Sequence, residues 1–78
     1  MELQERLVNM GFTNNDIKVY LKLIDLSRST AGELAKRTGL HRRGVYDVLN
    51  RLIDRGLVSY VIVQRKKYFQ AANPNKLL

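Results

Sequence analysis

A mainly α domain closed by a small β-hairpin is the fold class this sequence predicts, and three observations predict it. Apolar residues recur at helical spacing in four separate segments between Glu2 and Arg55. A capped short helix is followed, across a three-residue glycine turn, by a longer one. The periodicity then changes to about two residues from Leu57 onward, where β-branched and aromatic residues dominate.

The first segment, Glu2 to Met10, carries Leu3, Leu7 and Met10 at helical spacing and stops at Gly11. Thr13 is a favourable N-cap for the second helix, and Asp16 in its first turn complements the helix dipole. Ile17, Tyr20, Leu21 and Ile24 then mark a core-facing stripe running to about Asp25. After the polar stretch Ser27-Arg28-Ser29, Thr30 with Glu33 three residues on predicts a capping box opening a short helix to Thr38, with Leu34 and Ala35 inward and Gly39 closing it. The turn Gly39-Leu40-His41 leads to a helix from Arg42 to Arg55, with Val45, Leu49 and Leu52 inward, Val48 and Ile53 on the flanks, and Gly56 at the end. Leu57 to Val63 and Tyr68 to Gln70 read as two strands, leaving Gln64-Arg65-Lys66-Lys67 as the tip between them. Residues 1–72 thus describe a winged helix-turn-helix. Residues 73–78 begin a further helix or linker, because Asn73-Pro74 is an N-cap followed by proline at the first helical position.

Seventy-eight residues allow one domain, and 45% hydrophobic with 27% charged residues is the composition of a soluble globular chain. With no cysteine and one histidine, disulfides, thiol catalysis and multi-histidine metal sites are excluded. No apolar run approaches the roughly 20 residues of a membrane span, and the N-terminus has no signal-peptide pattern. A cytoplasmic, nucleoid-associated setting is therefore expected. No Gly-rich phosphate loop, metal triad or nucleophile with a base is visible, so neither an enzyme nor a cofactor is expected.

The charge is the informative quantity. Fourteen Lys and Arg against seven Asp and Glu give +7. Residues 1–35 hold four basic and five acidic side chains, whereas residues 36–78 hold ten basic and two acidic ones. The whole excess lies in the second half, which points to a polyanionic partner. On the long helix, with Val45, Leu49 and Leu52 turned inward, the opposite side presents Arg42, Arg43, Tyr46, Asp47 and Asn50. An α-helix fits the major groove of B-DNA, where Arg pairs with guanine and Asn with adenine. Arg42, Arg43, Tyr46 and Asn50 are accordingly the candidates for groove contacts. Arg65, Lys66 and Lys67 at the wing tip are candidates for the backbone or minor groove.

Weaker candidates are Thr30, a cap that can also meet a phosphate beside Ser29, and His41, which can serve as cap, phosphate contact or bystander. Lys36, Arg37, Arg51 and Arg55 read as surface charges that strengthen the field. Asp47 opposes phosphates unless it orients an arginine or accepts from a cytosine amine. Gly44 costs about 1 kcal/mol of helix propensity, which is either tolerated or repaid by close backbone approach.

Taken in order, Gly11-Phe12-Thr13, Val19-Tyr20-Leu21, Thr30 to Ala35, Thr38-Gly39-Leu40, Val45 to Leu49, Arg51-Leu52, Arg55 to Val58 and Lys67-Tyr68-Phe69 resemble the N-terminal winged-helix domain of the TrmB-like transcriptional regulators, known chiefly from archaea. The resemblance spans nearly the whole chain. It implies sequence-specific binding of double-stranded DNA as a homodimer, with Asp47 part of the family pattern. Family members usually continue into a coiled coil and an effector domain, and no small-molecule effector site is expected in these residues. Gly44 and a wing tip without glycine depart from the pattern. Leu3, Leu7, Leu77 and Leu78 are the apolar residues available for a dimer interface, although they can equally be core. Two rival readings use the same basic face. One is a protein-interaction module with Val61 and Val63 as an apolar strip, and the other is RNA binding through Tyr46, Tyr60, Tyr68 and Phe69.

Overall fold

The apolar stripes of the four helical segments can be buried only against one another, and in the computed structural model, which describes residues 2–72, they are. The order is α1 (Glu2–Asn9), α2 (Asn14–Leu26), α3 (Ala31–Thr38), α4 (Arg42–Asp54), β1 (Val58–Val63) and β2 (Lys66–Ala71). This is the predicted mainly α fold with a β-hairpin, a winged helix-turn-helix. The expected start of a helix at residues 73–78 lies outside the described residues.

Local chemistry sets the boundaries. At the start of α2 the Thr13 hydroxyl accepts from the Asp16 amide and the Asp16 carboxylate accepts from the Thr13 amide, a complete capping box. At α3 only half of the expected box forms. The Thr30 hydroxyl accepts from the Glu33 amide at 3.2 Å, while the Glu33 carboxylate turns outward to Arg37 at 2.8 Å. An i,i+4 ion pair on the exposed side thus competes successfully for that carboxylate. Gly39 ends α3 in the left-handed conformation at φ 76°, a position where a side chain is strained.

The core gathers Leu7, Ile17, Val19, Tyr20, Leu23, Leu34, Val45, Val48, Leu49, Leu52 and Phe69. Val48, expected on a flank, is fully buried, and on α2 Val19 and Leu23 join Tyr20 in full burial while Leu21 and Ile24 are half-buried. Of the two leucines of α1 named for a dimer interface or the core, Leu7 is buried in the core, 1% exposed, and Leu3 is half-buried against it. Leu77 and Leu78 lie outside the described residues.

The hairpin pairs β1 and β2 antiparallel, from Val58 opposite Ala71 to Val63 opposite Lys66. Only Gln64 and Arg65 form the tip, both at positive φ (50° and 69°), the signature of a type I′ turn. The predicted four-residue tip is too long: Lys66 and Lys67 are strand residues. Ser29 exchanges two backbone hydrogen bonds with Phe69 (2.9 and 2.7 Å), and Ala72 donates to Leu57 at 2.7 Å. The Ser29–Phe69 pair moors the wing to the segment entering α3, and the Ala72–Leu57 bond closes the open end of the hairpin.

Candidate nucleic-acid interface

Helix α4 is placed by two devices. Val45, Val48, Leu49 and Leu52 bury its inner face. On its α2 side, Arg51 donates to the Asp16 carboxylate at 2.6 Å and 3.3 Å. Asp16 is 3% exposed. Burial by itself pushes its carboxyl up, but the hydrogen bonds from Arg51 and from the Thr13 amide, with the attraction of the Arg51 charge, outweigh that and hold it below its ordinary value. Arg51, read from the sequence as a surface charge and about half exposed, is also a tether between helices.

The outer face of α4 carries Arg42, Arg43, Tyr46, Asp47 and Asn50, all exposed, as expected. At roughly 100° per residue, Arg43 stands at the crest of that face and Arg42 and Gly44 lie on opposite flanks. The two arginines therefore serve different sides. Arg42 shares an open groove of about 330 Å³ with Thr30, Ala31, Gly32, Tyr46, Lys66 and Lys67. Its guanidinium lies against α3, since a Cβ at Gly32 would come within 2.7 Å of Arg42 Nη2. Arg43 lines a different hollow, of about 510 Å³, with Asn15, Leu40, His41, Gly44 and Asp47.

The groove on the wing side joins residues from three elements. Tyr46 meets Phe69 edge-on, ring centroids 6.3 Å apart, and is 42% exposed. Lys67 Nζ lies 4.0 Å above the Tyr60 ring, so part of its charge is already engaged by an aromatic face. Thr30 lines the groove while its hydroxyl caps α3. Ser29 does not present its hydroxyl to the surface: it is buried and donates to the Thr30 carbonyl at 2.9 Å. Arg65 stands at the tip, beyond the residues lining the groove. His41 occupies the N-cap position of α4 without a side-chain cap bond and is exposed. The sequence reading missed Gly32 and Asn15, which become relevant only once α3 and α2 are packed beside α4.

The family model described as the sugar-specific transcriptional regulator TrmB matches residues 7–75. The chain belongs to the TrmB family. Among curated relatives of this TrmB-family domain is the HTH-type sugar sensing transcriptional regulator TrmBL1 of Pyrococcus furiosus, 29% identical over 77 residues, which are 99% of this chain and 22% of that protein. The chain spans between 13% and 22% of the length of the curated relatives it matches. Two solved structures share the fold. The ST1889 protein of the archaeon Sulfolobus tokodaii has TM-score 0.79 and 27% identity over 94% of this chain and 78% of that one. A MarR mutant from E. coli complexed with operator DNA has TM-score 0.80 and 20% identity over 96% of this chain and 56% of that one. Among the described residues of this TrmB-family domain, no helix is long and apolar enough to cross a membrane.

Proposed function

We propose that this TrmB-family domain binds double-stranded DNA sequence-specifically, with α4 in the major groove and the wing on the backbone or in the minor groove. The observation that carries this reading is the groove shared by Thr30, Arg42, Tyr46, Lys66 and Lys67, residues up to 37 positions apart converging beside an exposed helix of major-groove width. Arg43 at the crest and Asn50 two turns on are the base-reading candidates; Arg42, Lys66, Lys67 and Arg65 meet phosphates; His41 lies at the edge of the contact. Double-stranded DNA is the partner, and no membrane or cofactor takes part. The MarR structure with operator DNA supports the mode by its fold alone. TrmBL1 is described as sensing sugar, a property this reading leaves outside these 78 residues. A homodimer on a two-fold operator and a cytoplasmic setting belong to the same proposal.

The test is a selection of bound duplexes from a random pool, followed by titration across salt. An enriched palindrome supports sequence reading and two-fold symmetry, and log affinity should fall with log salt at about −0.9 per phosphate neutralised. Affinity that is flat in salt refutes the mechanism. Tighter binding to single-stranded or double-stranded RNA in the same buffer would favour the RNA reading instead.

A further inference from the structure

We propose that the hollow around Gly44, on the α2 flank of α4, seats a sugar–phosphate strand of the duplex at van der Waals distance, and that Gly44 exists to permit that approach. The inference rests on the DNA-binding reading and adds to it a specific point of closest contact. Gly44 is the third residue of the 13-residue α4, in its first turn, where glycine still lacks the helix propensity of alanine. Helical glycines are usually explained by a positive φ or by a neighbour too close for a Cβ. Neither applies here. Gly44 has no positive φ, and a Cβ built on it meets nothing within 4 Å. Gly32, by contrast, has an internal reason in the Arg42 guanidinium at 2.7 Å. Among the described residues nothing requires Gly44, and the open space over it leaves the helix backbone accessible to close approach from outside.

The surroundings suit a strand of the duplex rather than a base edge. Arg43 occupies the crest that faces the groove floor, and Gly44 is about 100° round toward α2, the side that faces a groove wall when a helix lies in the major groove. The wall on that side is formed by Asn15 and Leu40, with His41 above. The Asn15 amide and the His41 ring supply N–H donors, and Leu40 supplies an apolar surface for a deoxyribose. Asp47, the one acid lining the hollow, lies on the crest side of Gly44 and disfavours a phosphate there, which keeps the strand toward Asn15 and His41. The two flanks of α4 then grip the two strands differently. The wing side uses the cations Arg42, Lys66 and Lys67, whereas the α2 side uses close steric fit.

Gly44→Ala tests this with a signature that other substitutions do not share. The free domain should become more stable, with a melting temperature higher by about 4–8 °C, because a helical glycine is replaced in open space. Affinity for the selected duplex should nevertheless fall at least tenfold. Base preference should be unchanged, since no base contact is lost, and the salt slope should be unchanged, since no charge is removed. Lys66→Ala, removing a phosphate contact, should instead lower the slope by about 0.9. A stabilised Gly44→Ala domain that binds as tightly as the wild type overturns the inference while leaving DNA binding intact. So does an affinity loss accompanied by altered base preference, which would place Gly44 against a base. If the wild-type chain binds no duplex at low salt, the DNA reading fails and this inference fails with it.

Discussion

Removing Arg51 exposes how α4 is held. In Arg51→Ala the Asp16 carboxylate, 3% exposed, loses its only cationic partner among the described residues and keeps the Thr13 amide. Stripping one partner from a fully buried ion pair costs about 3–5 kcal/mol. Here the Arg51 side chain is 52% exposed, so water screens the pair and can partly solvate the carboxylate it leaves. The expected loss is therefore about 1–2 kcal/mol, between the buried and surface limits. For a domain of this size that lowers the melting temperature by about 4–16 °C, measurable by circular dichroism. The pH dependence supplies the sharper check. The folded pKa of Asp16 is lowered, so its contribution is present above the unfolded value of about 3.9 and is lost as pH falls toward the folded one. The gap between wild type and variant should be full at pH 6 and should close as pH falls below 4. An unchanged melting temperature at pH 6, or a gap that persists undiminished at low pH, would refute the tether.

Three further outcomes are expected. Tyr20 is 0% exposed and its hydroxyl has no hydrogen-bond partner among the described residues, so Tyr20→Phe should stabilise the domain by about 1 kcal/mol in urea denaturation; a loss of 1 kcal/mol would reveal a hidden partner. The paired replacement Gln64→Asn and Arg65→Gly should raise stability by about 1 kcal/mol by relieving two left-handed residues, while a duplex titration shows a salt slope shallower by up to about 0.9 if Arg65 meets a phosphate. Gly32→Ala should leave the melting temperature within about 4 °C, because the clashing atom is the end of a flexible side chain, yet weaken duplex binding by displacing the Arg42 guanidinium. Binding indistinguishable from wild type would show that the position of Arg42 against α3 is immaterial.

Much of the molecule is legible without coordinates because its signals are local. Caps at Thr13 and Thr30, stops at Gly11 and Gly39, and the change of period at Leu57 each depend on residues within a turn or two, and each boundary falls within a few residues of its expected place. The errors are equally instructive. Lys66 and Lys67 look like loop because lysines are depleted in strands, yet the two-residue turn and register with Val63 and Ile62 draw them into β2. For Leu3 and Leu7 the sequence left core and interface both open, and only the packing of α1 shows Leu7 buried and Leu3 half-buried against the core.

The sequence by itself determined the fold class, the family pattern and the side of α4 that stays polar, because helical period and capping are encoded in near neighbours. Tertiary packing alone decided the division of labour on that side. Arg51 was committed to Asp16, 35 positions away, and Arg42 was laid against Gly32 beside the wing. The adjacent Arg42 and Arg43 thus came to lie on different sides, Arg42 on the wing flank and Arg43 at the crest. Such assignments depend on which backbone passes within a few ångströms of a side chain, a distance fixed only when the apolar faces of all four helices close on one core.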